Sequence, residues 1–446
     1  MKVLLLYPNA RRELIGWGDL GAIAEPLALE YLAAGARLDG HEVRLLDLRL
    51  HPHDLMLTLW SFEPDVVGVT GYSMHVPRML ELCRQTQGLL PHVRTVVGGH
   101  HATLMPEDFF EPEVDCVVSG EGVRPFRRIL QALEAGEGLG GIPGAWARDA
   151  GGTFRFGGEP PKLDIDALPF PDRSLVPADR GSYFIDWMKP IALLRTTVGC
   201  PFRCNFCSLW KIMDGRYYKR DVERVVAELA TIPERYVFLV DDEPFVNPRR
   251  MWALAEQIEA ARLEKEFFAY CRIDSFLRDL DLMRRWRDIG LRRVFFGLEA
   301  VLDHELKDYN KRLAREQILQ GLQAARELGI HVFASFIVKP EYTPREFDQL
   351  AAFIREHGVD YPSFTLLTPL PGTPACESFE HLLERQPNGR PRWEHFDLQH
   401  AVTRTRMPRE EFMREYRKLQ GVFSASYRAA NHPLFQDGEH GPRVTP

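Results

Sequence analysis

No apolar run in this sequence approaches the roughly 18 residues that cross a bilayer, and the N-terminal stretch Val3–Tyr7 is too short for the apolar core of a signal peptide. No transmembrane segment is expected, and the chain is predicted to be cytoplasmic. Positive charge is not in excess either: 56 Lys and Arg stand against 63 Asp and Glu, a formal net charge of −7. Without a general basic footprint, nucleic acid is not an expected partner. Cysteine is sparse, with 7 in 446 residues, and odd in number, which argues against a disulfide framework and for a reducing compartment. Internal repeats and low-complexity tracts are absent from the sequence. The 45% hydrophobic content suffices for buried cores, so disordered and fibrous classes drop out, and the length predicts two or three domains.

Apolar runs and helical periods then alternate along the chain. Lys2–Tyr7, Glu42–Leu48, Val66–Thr70, Thr95–Val97 and Cys116–Val118 read as strands, with helices over Pro26–Asp39, Val76–Leu90 and Val123–Ala135. Continuous apolar strands separated by helices predict an α/β domain with a parallel, doubly covered sheet, Rossmann-like, over residues 1–145. Prolines then gather at positions 160, 161, 169, 171 and 177, marking a connector over 146–190. A second alternation follows over 191–375: strands at Ala192–Thr197, Tyr236–Val240, Phe267–Cys271, Arg293–Gly297, His331–Ile337 and Ser363–Thr368, separated by helices. Six such units predict a partial (β/α) barrel with its chemistry at the C-terminal strand ends. Residues 376–446 read as a mostly helical region around Pro408–Ala430 with a mobile polar tail.

Three cysteines crowd directly after the first barrel strand: Cys200, Cys204 and Cys207, spaced C-x3-C-x2-C. Three thiolates on one tight loop can hold three irons of a [4Fe–4S] cubane and leave the fourth open to a ligand. A zinc knuckle is the bland alternative, but it wants a fourth ligand, and the next twenty residues contain no further Cys or His. Cys83, Cys116, Cys271 and Cys376 lie in apolar contexts and read as core or near-core residues.

The segment TTVGCPFRCNFCSLW resembles the cluster loop of the radical S-adenosylmethionine (SAM) enzymes, with Phe206 the aromatic before the last cysteine. The resemblance implies a cluster whose open iron chelates SAM and a hydrogen-abstracting reaction. It also implies SAM contacts from Asp241, Asp242 and Glu243 at the second strand end, from Arg272 and Asp274 after the third, and from Glu299 on the ribose after the fourth. The acidic trio could equally be a solvated turn. Lys339-Pro340 replaces the glycine-rich pattern often found beside adenine.

A Rossmann-like domain before such a barrel, joined by LDIDALPFPDRSLVP, resembles the cobalamin-binding branch of that family. The likeness rests on three loops: Thr70-Gly71-Tyr72-Ser73, then Gly98-Gly99-His100-His101-Ala102-Thr103, then Ser119-Gly120-Glu121-Gly122. Glycine lets backbone approach a bulky planar ligand, and small hydroxyls can bond its tail. The Asp-x-His-x-x-Gly motif that supplies a cobalt-ligating histidine in many cobalamin proteins is missing, which leaves His100 and His101 as candidate axial ligands, with hydrogen bonding to corrin amides or to the loop as their other role.

The sequences EPLALEYLAAGARLDGHEVRLLDL, CNFCSLWKIMDGRYYKR and HFDLQHAVTRTRMPREEF resemble the hopanoid C-3 methylase subgroup. That likeness implies a cobalamin-dependent radical SAM methyltransferase acting on an unactivated carbon of a small or lipid-like substrate, with Trp393, Phe396 and Phe412 either lining the pocket or serving as core. It implies a one-electron donor such as flavodoxin or ferredoxin, and leaves peripheral membrane contact open. The alternatives are a cobalamin-dependent oxidative cyclase or other non-methylating C–H functionalisation and, outside enzymes, a cobalamin-binding sensor or carrier with a structural metal. No catalytic side chain is assigned by the sequence.

Overall fold

A computed structural model describes residues 1–9, 22–311, 313–376 and 381–423. Its first sheet runs, in spatial order, Glu42–Asp47, Lys2–Tyr7, Val66–Thr70, Arg94–Gly98 and Cys116–Val118, all parallel. The strands are apolar on both faces because both are covered. Leu4, Leu6, Val67 and Val69 pack against Leu55–Phe62 and Val76–Leu89, while Val3, Leu5 and Val66 pack against Leu27–Leu38 and Val123–Glu134. Two helices lie beyond those read from the sequence, Leu55–Phe62 and the single turn His100–Leu104. The sheet also continues past residue 145 through an antiparallel hairpin, Ala145–Arg148 and Phe154–Phe156. Strands of three and four residues between glycines are too short to show a period.

The second sheet contains Ile191–Leu194, Tyr236–Leu239, Glu266–Cys271, Leu291–Glu299, His331–Val338 and Tyr361–Leu366, six parallel strands in chain order. This is an open (β/α)6 barrel. Its lumen is filled by aromatic side chains: Phe238 stacks on Phe268 at 4.5 Å, and Phe295 on Phe333 at 5.2 Å. Buried Arg293 lies among Phe268, Phe333 and Tyr361 and pairs with Asp186 of the connector at 2.9 Å. Ion pairs bind the two units together. Arg173 of the connector meets Glu25 of the first domain at 3.4 Å and Glu228 of the barrel at 3.0 Å, and Arg180 spans Glu25 and Glu234.

The region after residue 376 is less helical than its sequence predicts. The described part has one α-helix, Arg409–Val422, preceded by an irregular stretch that includes the 3-10 turn Trp393–His395. Pro387, Gly389, Pro391 and Pro408 deny it a longer helix. The tail beyond Phe423 lies outside the described residues. Trp393 and Phe396 are buried in the core of the first domain, and Phe412 is buried in that of the barrel, so their role is packing and not pocket lining.

Candidate active site

The cysteine loop leaves the first barrel strand through Gly199, whose φ of +86° suits glycine and whose added Cβ would meet the Arg216 carbonyl oxygen at 2.1 Å. A short antiparallel pair, Thr197–Val198 with Tyr218–Lys219, closes the base of the loop. Trp210 Nε1 donates to the Cys204 carbonyl at 3.1 Å, and Asn310 Nδ2 donates to the Arg203 carbonyl at 3.0 Å. Phe206 is half-buried, edge-on to Tyr309 at 5.2 Å, which makes it a prop for the loop. Burial pushes the Cys200 thiol up to about 11 and Cys207 up to about 12. It raises Cys204 as well, while Lys311 and Arg272 pull that thiol the other way. The two cations beside Cys204 favour its thiolate, the form in which the three cysteines would bind the irons of a cluster.

The residues expected around SAM divide into two groups. Asp241 is fully buried, and its carboxylate accepts from Thr196 N, Thr196 Oγ1 and Thr197 N, each at 2.6 Å. It is a strand clamp with no free face for SAM. Glu243 is also buried, accepts from Arg272 N at 2.7 Å and is pushed up to about 7 by burial. Asp242 alone of the trio is half-exposed, and burial raises it to about 6 against the pull of Arg195. Arg272 grips both oxygens of Asp274 at 2.9 Å, donates to the Lys311 carbonyl at 2.9 Å and points Nη1 at Cys204 Sγ, 3.8 Å away. Glu299 has φ +64° at a bulge in its strand and meets Lys311 Nζ at 2.5 Å. A Cβ on Gly297 would lie 2.3 Å from that carboxylate and 2.5 Å from Lys311 Nζ, so a larger residue there would displace the pair. Lys311 escaped the sequence reading because nothing local marks a lysine in a turn after a helix.

The three loops of the first domain meet along one sheet edge. Gly99, at φ +106°, would place a Cβ 2.5 Å from the Gly71 carbonyl oxygen, so the first and second loops touch through bare backbone. Thr103 Oγ1 accepts from Gly120 N at 2.9 Å and Ser119 Oγ donates to the Ala102 carbonyl at 3.0 Å, which ties in the third loop. Glu121 caps the helix that follows by accepting from Val123 N at 2.5 Å. A Cβ on Gly120 would meet nothing within 4 Å, so the rim is open at that point.

The two histidines differ. Each His101 ring nitrogen has a protein partner, Nδ1 beside Ser73 Oγ and Nε2 beside Asp108 Oδ2, both at 2.9 Å. His100 instead exposes its ring, edge-on to Tyr72 at 4.8 Å. Tyr72 is 43% exposed, yet its phenol and the His100 imidazole feel Arg195 of the barrel, so both face the cleft between the two sheets. The protein atoms crowded around the cleft, helped by the Arg195 charge, lower the His100 pKa from the ordinary imidazole range although the ring keeps contact with solvent. Tyr270 stands near Tyr72 and Asp242 on the barrel side, and Phe295, edge-on to it at 4.9 Å, belongs to the aromatic packing of the lumen.

Residues 15–130 match the B12 binding domain family and residues 194–354 match the Radical SAM superfamily. The chain is 32% identical over 432 residues to the hopanoid C-3 methylase of Methylococcus capsulatus, covering 95% of this chain and 80% of that protein. It is 27% identical over 388 residues to the anaerobic magnesium-protoporphyrin IX monomethyl ester cyclase of Rubrivivax gelatinosus, covering 83% and 68%. The fold also matches a radical SAM methyltransferase from Kitasatospora setae solved with cobalamin and a [4Fe–4S] cluster, with a TM-score of 0.71 at 18% identity, covering 99% of this chain and 96% of that one. On these likenesses the chain belongs to the cobalamin-binding radical SAM enzymes, whose cofactors are a [4Fe–4S] cluster, SAM and cobalamin.

Proposed function

We propose that this enzyme methylates an unactivated carbon of a lipid-like, hopanoid-type substrate. The observation that carries this reading is the continuity of the likeness to the hopanoid methylase through both domains and the C-terminal region, 95% of the chain. When bound, the cluster and SAM supply one-electron hydrogen abstraction and cobalamin supplies the methyl group.

The residues then take these roles. Cys200, Cys204 and Cys207 hold three irons. Arg272, fixed by Asp274, and Lys311, fixed by Glu299, present positive charge to that centre, and Asp242 offers the cleft a carboxylate. Glu299 reaches the ribose of SAM. Thr70 to Ser73, Gly98 to Thr103 and Ser119 to Gly122 seat the corrin, with His101 shaping its loop and His100 facing the ligand. The electron donor is a flavodoxin or ferredoxin and the setting is cytoplasmic. No helix among the described residues is long and apolar enough to cross a membrane, so a membrane-resident substrate would be met by peripheral contact.

The test is incubation of the anaerobically reconstituted enzyme with methyl-deuterated SAM and a pentacyclic hopene. Label in the hopene product supports the proposal. Formation of 5′-deoxyadenosine with an oxidised, unlabelled product rejects methyl transfer in favour of the cyclase-like reading, which the likeness to the Rubrivivax enzyme keeps in view.

A further inference from the structure

Arg195 follows the first barrel strand, Ile191–Leu194, and is half-buried. Its backbone is fixed, since Arg220 Nη1 donates to its carbonyl at 2.7 Å. Its guanidinium is not: no described residue gives it a hydrogen bond or an ion pair. The neighbouring arginines are all engaged, Arg49 by Asp47, Arg173 and Arg220 by Glu228, Arg250 by Thr196 and Arg272 by Asp274.

The position of that free head is specific. It lies 5.7 Å from the ring centre of Tyr31, on the first helix of the other domain. Its charge reaches Tyr72, His100 and Glu121, one on each of the three loops, and Asp242 at the end of the second barrel strand. It therefore stands where the corrin-side loops meet the barrel mouth. Neither acid takes it up: the Glu121 carboxylate accepts from Val123 N and Arg124 N, and Asp242 forms no ion pair with it. Tyr72, Tyr270 and a neutral His100 supply no countercharge. A half-buried guanidinium with no protein acceptor keeps its donors for a ligand that displaces water from it, and anionic oxygens match its fork best.

We propose that Arg195 is the anion-binding residue of the cleft and takes an anionic oxygen group of a bound cofactor, either the phosphodiester of the cobalamin tail or the carboxylate of SAM. This rests on the family assignment and is independent of methyl transfer and of the hopanoid substrate.

The test compares reconstituted full-length wild type, R195K and R195Q, titrated with four probes: hydroxocobalamin, dicyanocobinamide (which lacks the phosphodiester and nucleotide), SAM and decarboxylated SAM. Corrin absorbance reads the first two and calorimetry the others. If the phosphodiester is the partner, R195Q weakens hydroxocobalamin binding roughly tenfold or more and leaves cobinamide unchanged. If the carboxylate is, R195Q weakens SAM by the same factor and leaves decarboxylated SAM unchanged. R195K keeps part of the affinity in either case. Unchanged binding of all four probes overturns the proposal. So does an equal loss for a charged probe and its truncated counterpart, or a uniform loss accompanied by a lowered melting temperature, which would mark a structural role.

Discussion

His101 and Asp108 form a buried pair, Nε2 to Oδ2 at 2.9 Å, and through it the Gly98–Thr103 loop is locked to the C-terminal segment. Asp108 also faces Arg390 Nε at 3.4 Å, and Trp393 lies edge-on to His101 at 4.5 Å. With both ring nitrogens taken, His101 has none left for cobalt. His101→Ala should therefore weaken cobalamin binding about tenfold by loosening the loop, with cluster content intact. The cob(II)alamin EPR spectrum should show no loss of a nitrogen splitting, and a splitting present in wild type but absent from this variant would make His101 the ligand.

Cys204→Ala should abolish the brown chromophore and 5′-deoxyadenosine formation while cobalamin still binds, because the two sites sit on separate sheets. Iron and sulfide analysis beside a cobalamin titration checks both halves. Retention of a SAM-cleaving cluster would remove Cys204 from the ligand set.

Asp241 and Glu299 should part company. Asp241→Ala leaves buried Thr196 and Thr197 donors unanswered and should cost about 3 kcal/mol of stability. Denaturant unfolding measures that cost, and SAM affinity of the folded fraction should stay unchanged. Glu299→Ala should instead weaken SAM binding and spare the cluster. Calorimetry decides, and an unaltered SAM affinity would end the ribose assignment.

Glu30 makes stability depend on pH. Three arginines, Arg173, Arg180 and Arg220, share a buried network with four glutamates, Glu25, Glu30, Glu228 and Glu234. Glu30 is the acid left over: its carboxylate oxygens make no hydrogen bond, and burial raises it from the ordinary 4.5 to about 8. Between those values the folded state binds more protons than the unfolded one, so stability falls as pH rises through that window. Glu30→Gln should flatten the fall and exceed wild type in melting temperature near pH 8. Parallel wild-type and variant curves would refute the titration.

The sequence by itself determined what is local and contiguous. An apolar run between breakers is a strand wherever it lies, so both alternating sheets were legible. A loop carrying Cys200, Cys204 and Cys207 within eight residues keeps all three on one turn of chain by connectivity alone. Glycines at strand ends marked the loops that meet along the first sheet's edge for the same reason. Tertiary structure decided what depends on partners far apart in the chain. It made Asp241 a clamp and left Asp242 open, although the two are neighbours in one acidic run, because a single step along the backbone turns a side chain from core to cleft. It brought Lys311 to Glu299 and Trp393 to His101, pairs with no sequence signature, and it left Arg195 free by giving the nearby acids other donors. Such electrostatic roles belong to the arrangement of charges around a buried group, and that arrangement exists only once the chain has folded.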